Sequence, residues 1–65
     1  MEPFAVQPYL DVDSAAAYLG VSPRFVRRLI AERRIRFHKL GRCVRISVAD
    51  LDAFAAAGAV EPVGA

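Results

Sequence analysis

The chain has 65 residues, nine of them Lys or Arg and seven Asp or Glu, so its formal net charge is only +2. A chain of this length allows one domain and buries too little surface to enclose a substrate pocket of roughly 300 Å³ or more, so we do not expect an enzyme. Its single cysteine and single histidine exclude an internal disulfide and fall short of the ligands of a structural zinc site, so neither a metal nor a cofactor is expected.

The hydropathy and charge patterns favour a cytoplasmic protein with an anionic partner. No apolar run approaches the roughly 18 residues needed to cross a membrane, and residues 1–10 lack the pattern of a signal peptide. All nine cations lie between Arg24 and Arg45, where Glu32 is the single acid. This basic segment therefore carries +8, while the rest of the chain carries −6. A charge so concentrated is typical of proteins that bind a polyanion.

A short arm precedes the first predicted helix. Residues 1–10 contain two prolines and no clear period, which predicts an extended arm. Asp11 is suited to N-cap a helix over Val12–Leu19. Asp13 then lies in the first turn, where the helix dipole favours an acid, and Gly20 ends the helix because glycine adopts the left-handed conformation of a C-terminal cap. The arm side chains that could pack on the core are Phe4, Tyr9 and Leu10.

A second helix is predicted to begin at Ser22-Pro23, a side-chain cap followed by proline at the first helical position, and to end near Glu32. Helical periodicity gives this helix an apolar face of Val26, Leu29 and Ile30 and an exposed face of Arg24, Arg27, Arg28 and Ala31. Only Gly20, Val21 and Ser22 separate it from the first helix, with Val21 expected to fill the corner. A short glycine-containing turn between two helices predicts a helix-turn-helix.

A two-stranded hairpin is predicted next. Ile35–Lys39 and Val44–Ile46 alternate apolar and polar residues, as strands do. Gly41 can supply the positive φ of a tight turn, which leaves Arg42 at the tip of a wing.

The third helix is predicted over Val48–Ala57. Ser47 and Asp50 have the spacing of a capping box, with Asp in place of the usual Glu or Gln. The side chains that this helix is expected to bury are Leu51, Phe54 and Ala55. The sequence thus predicts a mainly α fold with a small β-hairpin, a winged helix-turn-helix over 11–57, between the arm over 1–10 and a flexible tail over 58–65. The predicted core consists of Leu19, Val21, Val26, Leu29, Ile30, Ile35, Phe37, Val44, Ile46, Leu51 and Phe54.

The basic face of the second helix can be interpreted in two ways. A solvated face that keeps a small protein soluble is the simpler interpretation of an isolated pair of arginines. Solvated faces usually mix signs, whereas this one carries a single sign and follows a helix-turn-helix corner. A major groove admits one helix, and arginine suits guanine and phosphate, so we predict contacts with duplex DNA. The residues predicted to make them are Ser22, Pro23, Arg24, Arg27, Arg28 and Ala31.

Further DNA contacts are predicted around the hairpin. Arg42 is either a simple turn residue or a contact to the minor groove and its phosphates, and the flanking cations Lys39 and Arg45 favour the contact. For the junction cations Arg33, Arg34 and Arg36, stabilisation of the helix C-terminus and phosphate contact are equally supported. Glu32 is placed to pair with Arg28 or Arg36. His38 is interpreted mainly as a strand-surface residue. The predicted wing and phosphate contacts are Arg34, Arg36, His38, Lys39, Gly41, Arg42 and Arg45.

The remaining polar and aromatic residues give no sign of catalysis. Cys43 is interpreted as a filler beside the turn rather than a nucleophile, and Tyr18 and Phe25 as core residues rather than stacking platforms for bases. One histidine and scattered acids do not assemble a catalytic set or a phosphate-binding loop.

The order of these motifs resembles the excisionase-type winged helix-turn-helix proteins. The residues that carry the resemblance are Asp11–Ser22, Val26–Ile30, Lys39–Arg42, Arg45-Ile46 and Asp50–Phe54. The same pattern is shared by small prophage regulators and by DNA-binding modules related to the MerR group. The chain departs from residues common in the family at Phe25, Arg27 and Cys43, which bears on its base preference and wing contact.

The resemblance implies a small protein that binds repeated sites beside a recombination attachment site, bends the DNA and directs a phage-type integrase toward excision. An integrase and further copies of the chain on DNA are therefore expected partners. A transcriptional regulator of a prophage or mobile element is the alternative. A third hypothesis is a protein-interaction module whose basic face meets an acidic partner, and it predicts little affinity for duplex DNA at moderate salt.

Overall fold

The chain folds as three helices and a small antiparallel sheet. The structure, a computed structural model, describes residues 9–63; Met1–Pro8, which include Phe4 and most of the predicted arm, and residues 64–65 of the predicted tail lie outside the described residues. The elements in chain order are β1 (Tyr9–Leu10), α1 (Val12–Leu19), α2 (Pro23–Ala31), β2 (His38–Leu40), β3 (Cys43–Ser47) and α3 (Val48–Ala57). The predicted winged helix-turn-helix is confirmed.

Local capping signals determine where the helices begin. The caps Asp11, Ser22 and Ser47 accept a hydrogen bond from the amide three residues later, at 2.8, 3.2 and 3.0 Å. Each side chain thereby satisfies an amide that has no acceptor within its helix, which confirms the predicted starts. At α3 the box is half-formed in the described residues, because the Asp50 carboxylate lies 3.6 Å from His38 Nε2.

Both helices of the helix-turn-helix end in a chain reversal. Gly20 has φ 75°, and the next amide, that of Val21, donates to the Ala16 carbonyl at 2.9 Å, so the predicted glycine cap is confirmed. α2 ends in the same way with a different residue. Arg33 adopts φ 57°, and the Arg34 amide donates to the Leu29 carbonyl at 2.8 Å.

The sheet contains one strand more than the predicted wing. Its order is β1-β3-β2, with both pairs antiparallel. Leu10 lies opposite Ile46, so the end of the predicted arm is part of the sheet. β2 begins at His38, not at Ile35 as predicted. Residues 35–37 before it also alternate between apolar and polar side chains, but they form an irregular segment that buries Ile35.

The core is small and lies between the helices and β3. Its buried members are Ala15, Ala16, Val26, Leu29, Ile35, Ile46 and Leu51. The half-buried hydrophobic residues that pack against it are Leu10, Val12, Leu19, Phe25, Ile30, Phe37 and Phe54, which confirms the packing predicted for Phe25. No helix within residues 9–63 is long and apolar enough to span a membrane.

Three predicted core positions are wrong. Val21 is 37 % exposed, because the reversal at Gly20 turns it to the outside of the corner that it was expected to fill. Tyr18 is 50 % exposed, and its hydroxyl donates to Asp52 Oδ1 at 2.6 Å, which links α1 to α3. Ala55 lies one turn after the buried Leu51 on the same side of α3, but it is exposed because it lines the open groove beside Leu19 and Phe54.

Candidate nucleic-acid interface

The exposed face of α2 carries the predicted DNA-contacting cations. Val26 and Leu29 are completely buried, so the amphipathic helix has a fixed orientation against α1. Its opposite face leaves Arg24, Arg27, Arg28 and Ala31 exposed. This face therefore consists of three arginines and one small apolar residue, Ala31.

The N-terminus of α2 offers one backbone N–H, that of Arg24, beside the arginines of the exposed face. Pro23 has no N–H, and the Phe25 amide is bonded to Ser22 Oγ. Within residues 9–63, no acceptor is found for the Arg24 amide. An unsatisfied amide at the positive end of a helix dipole suits a phosphate oxygen.

The wing presents its tip and leaves its base partly covered. Gly41 has φ 67° in the turn between β2 and β3, and Arg42 and Lys39 are exposed. Arg45 is half-buried, and its Nη1 donates to the Val44 carbonyl at 2.8 Å. Cys43 is exposed, so it does not fill space beside the turn as predicted.

A cleft of about 350 Å³ lies between α2, the start of α1 and the wing. Its lining residues are Asp11, Val12, Asp13, Arg27, Arg42, Cys43, Val44 and Arg45. The fold thus brings Arg27 of α2 to the same surface as Arg42 and Arg45 of the wing, which follow it by 15 and 18 residues. It also brings two carboxylates that sequence reasoning had assigned only to capping and the helix dipole.

The two carboxylates of this cleft are held differently. Asp11 accepts the Ser14 amide, and this backbone hydrogen bond, with the Ser14 side chain and the Arg45 charge, lowers the pKa of Asp11 below its ordinary value. Asp13 instead lies with Oδ1 3.9 Å from Arg27 Nη2. An acid thus pairs with a cation of the predicted recognition face, which no local signal in the sequence indicated.

Three other predicted contacts lie away from this cleft. Arg36 and His38 line a separate hollow with Tyr9 and Asp50, where the Tyr9 and His38 rings meet edge to face at 5.4 Å. His38 is consequently half-buried, between Tyr9 and Asp50, rather than free on the strand surface. Arg34 lines an apolar groove of about 660 Å³ formed with Leu19, Val21, Phe25, Phe54, Ala55, Ala57 and Gly58.

The predicted pairing of Glu32 with Arg28 or Arg36 is wrong. Glu32 Oε1 lies 3.3 Å from Arg34 Nη1, because the reversal after α2 brings Arg34 back beside the helix end. The Arg33 guanidinium lies 5.9 Å from the centroid of the Phe37 ring. Arg28 has no carboxylate within 4.0 Å among the described residues, so its charge remains available on the α2 face.

Comparison with known proteins agrees with this geometry. A family model described as a helix-turn-helix domain matches residues 9–59, which span all six elements. A search of curated proteins found no match. The match covers more than half of the chain, and the chain therefore belongs to the helix-turn-helix domain family, a DNA-binding family that includes excisionase-like proteins.

Proposed function

We propose that the protein is an excisionase, a sequence-specific duplex-DNA-binding protein that bends attachment-site DNA and directs a phage-type integrase toward excision. The observation that carries the DNA-binding part is the cleft in which Arg27 of α2 meets Arg42 and Arg45 of the wing. A helix and a hairpin that share one cationic surface can contact adjacent grooves of one duplex. The excisionase role is supported by the motif resemblance and the family match.

In the proposed complex α2 lies in the major groove. Arg24 and Arg27 stand in its first two turns, where side chains reach base edges most easily, and the planar guanidinium suits O6 and N7 of guanine. Arg28 and Ala31 complete the face, and the Arg24 amide with the Ser22 cap faces a phosphate.

The wing lies on the neighbouring minor groove. Arg42 at its tip meets the groove or its phosphates, with Lys39 and the Gly41 turn beside it and Arg45 at its base. Arg34, Arg36 and His38 are secondary candidates for phosphate contact, because they line other hollows of the surface.

Size favours action in several copies. A single module of this kind buries about 600 to 1,000 Å² of protein surface on DNA, so one copy binds modestly and gains from neighbours on adjacent sites. The proposed partners are further copies of the chain and an integrase, in the cytoplasm at the nucleoid. In this proposal residues 11–57 are the DNA-binding domain, with arm and tail outside it.

The first test is binding to DNA. Fluorescence-anisotropy titrations compare a duplex carrying the attachment site of the element that encodes the protein with a base-shuffled duplex. We expect tighter binding to the attachment site by at least about tenfold, and an affinity that falls steeply with salt as counterions are released. Equal affinities, or weak binding that is insensitive to salt, would reject sequence-specific DNA binding and favour an acidic protein partner.

The second test separates excisionase from regulator. In a recombination reaction with the integrase of the same element, adding the protein should raise excision and reduce integration. Arg27→Ala should lose both effects if they depend on the proposed interface. Protection of a promoter in footprints, with no change in either recombination rate, would favour the transcriptional regulator instead.

A further inference from the structure

An acidic side chain lies within the basic surface that α2 and the wing share. Asp13 Oδ1 is 3.9 Å from Arg27 Nη2, and the two side chains are 77 % and 65 % exposed. A pair this exposed contributes little to folding stability, because water screens it and both side chains lose freedom. The ion pair therefore adds little stability, and the stabilising contribution that remains for Asp13 is its interaction with the dipole of α1.

The position is also unfavourable for general attraction to DNA. A carboxylate beside the cations of the cleft reduces the positive potential that attracts phosphates and the number of counterions released on binding. A second acid of the cleft, Asp11, caps α1 through the Ser14 amide, and both acids interact favourably with the helix dipole. What distinguishes Asp13 from Asp11 is its contact with Arg27.

That contact bears on which part of DNA Arg27 binds. A free arginine on a recognition helix can bind a phosphate on any sequence or the edge of a guanine at one place. A carboxylate on one side of the guanidinium restricts its orientation and leaves the remaining N–H groups for a base edge. The same carboxylate repels a phosphate that approaches Arg27 from the cleft.

We propose that Asp13 is a specificity-determining positioning residue: its carboxylate orients Arg27 toward base edges and opposes phosphate binding by that arginine. The inference rests on the proposed DNA-binding function. On this inference the charge of Asp13 weakens binding to random DNA more than it weakens binding to the preferred site. Removal of the charge should therefore make binding less selective.

The chain provides a matched control for charge. Asp13→Asn removes one negative charge from the cleft and the partner of Arg27. Asp11→Asn removes one negative charge from the same cleft, and asparagine caps a helix as well as aspartate, so the Ser14 amide keeps its acceptor. Both variants should steepen the dependence of affinity on salt, by at most about 0.9 in the log–log slope. Asp13→Asn alone should change selectivity.

The experiment uses the full chain and a DNA probe obtained from the protein itself. Wild-type protein selects from duplexes with a random core of about 20 base pairs, roughly two helical turns. The most enriched duplex and its shuffled version are then titrated by anisotropy at one salt concentration with each variant. The selectivity ratio is the dissociation constant on the shuffled duplex divided by that on the enriched one.

Asp13→Asn should lower this ratio at least about threefold, mainly through tighter binding to the shuffled duplex, whereas Asp11→Asn should change it less than twofold if only total charge is altered. In an Arg27→Ala background, Asp13→Asn should leave the ratio unchanged. An unchanged ratio for Asp13→Asn alone, an equal loss with Asp11→Asn, or a persistent effect without Arg27 would overturn the inference while leaving the DNA-binding proposal intact. A wild-type ratio near one would reject the proposed function and this inference with it.

Discussion

The end of α2 allows a stability prediction in which glycine is favoured over alanine at position 33 and disfavoured at position 31. Arg33 adopts φ 57°, the left-handed region, where glycine is the usual residue of such a cap. The reversal is fixed by two backbone hydrogen bonds, from Arg33 to the Ile30 carbonyl at 3.1 Å and from Arg34 to the Leu29 carbonyl at 2.8 Å. Any L-residue at position 33 must therefore accept this conformation.

The magnitude follows from comparing Ala with Gly at two positions. A side chain in the left-handed region costs about 1 to 2 kcal/mol, whereas glycine avoids that cost and loses about 0.4 to 1 kcal/mol through its freer unfolded chain. Arg33→Gly should thus be more stable than Arg33→Ala by about 0 to 1.6 kcal/mol, with a central value of about 0.8 kcal/mol. The Ala variant is the proper reference because both substitutions lose the contact between the guanidinium and the Phe37 ring. At Ala31, the last residue of α2, Ala31→Gly should destabilise by up to about 1 kcal/mol, the cost of glycine within a helix.

Thermal and urea unfolding followed by circular dichroism measure both differences. In a domain this small, about 1 kcal/mol corresponds to a shift of about 4 to 8 °C in melting temperature. The expected order is Gly above Ala at position 33 and Ala above Gly at position 31. If alanine were the more stable residue at both positions, Arg33 would not occupy a left-handed cap and the described reversal would be wrong.

Three further predictions concern a cap, a tyrosine and the DNA face. Ser47→Ala should cost about 1 kcal/mol of unfolding free energy by urea titration, because the Asp50 amide loses its acceptor, whereas Ser47→Asp should retain most of it. The hydrogen bond to Asp52 raises the pKa of Tyr18. The stability that this bond contributes is therefore present below pH 10 and is lost as pH rises through the pKa of the folded state. In Tyr18→Phe the melting temperature should no longer show this loss at alkaline pH. Arg27→Ala should reduce discrimination between preferred and shuffled DNA, by about 1 to 3 kcal/mol if Arg27 reads a guanine, whereas Arg42→Ala should weaken binding to both duplexes about equally.

Each of these has an outcome that would contradict it. A Ser47→Asp variant as unstable as Ser47→Ala would mean that the hydroxyl does not act as a cap. An unchanged alkaline melting profile in Tyr18→Phe would remove the link between α1 and α3. Equal losses on both duplexes for the Arg27 and Arg42 variants would contradict their separate roles.

The elements that sequence predicted well are those with local signals. α1 and α3 have the predicted ends, because Asp11, Gly20 and Ser47 act on amides and carbonyls within a few residues of themselves. β1 was missed because a two-residue strand has almost no periodicity and its partner is β3, more than thirty residues away. The start of β2 was misplaced because alternation also arises where an irregular segment turns Ile35 inward.

The candidate site was predictable in composition and not in arrangement. The cationic face of α2 follows from helical periodicity alone, since Val26 and Leu29 determine which side is buried. The cleft depends on tertiary packing of the wing beside α1, which no spacing in the sequence indicates. The sequence also predicts the wrong partner for Glu32. A left-handed residue after a helix is usually a glycine, and because position 33 is an arginine the sequence gives no sign of the reversal that brings Arg34 to Glu32.

The separation of charge along the chain is therefore not preserved in space. Of the acids outside the basic segment, Asp11 and Asp13 return to the cleft, Asp50 faces His38 and Asp52 accepts the Tyr18 hydroxyl. The cleft, with three cations and two carboxylates, carries a formal charge of only +1, whereas Arg24 and Arg28 have no carboxylate within 4.0 Å among residues 9–63. General attraction to a phosphate backbone should then be strongest outside the cleft, around Arg24 and Arg28, and weaker within it. In the proposed complex, long-range attraction would bring the protein to any duplex, and at the centre Arg27, oriented by Asp13, would contact base edges rather than phosphates, so that one duplex is distinguished from another.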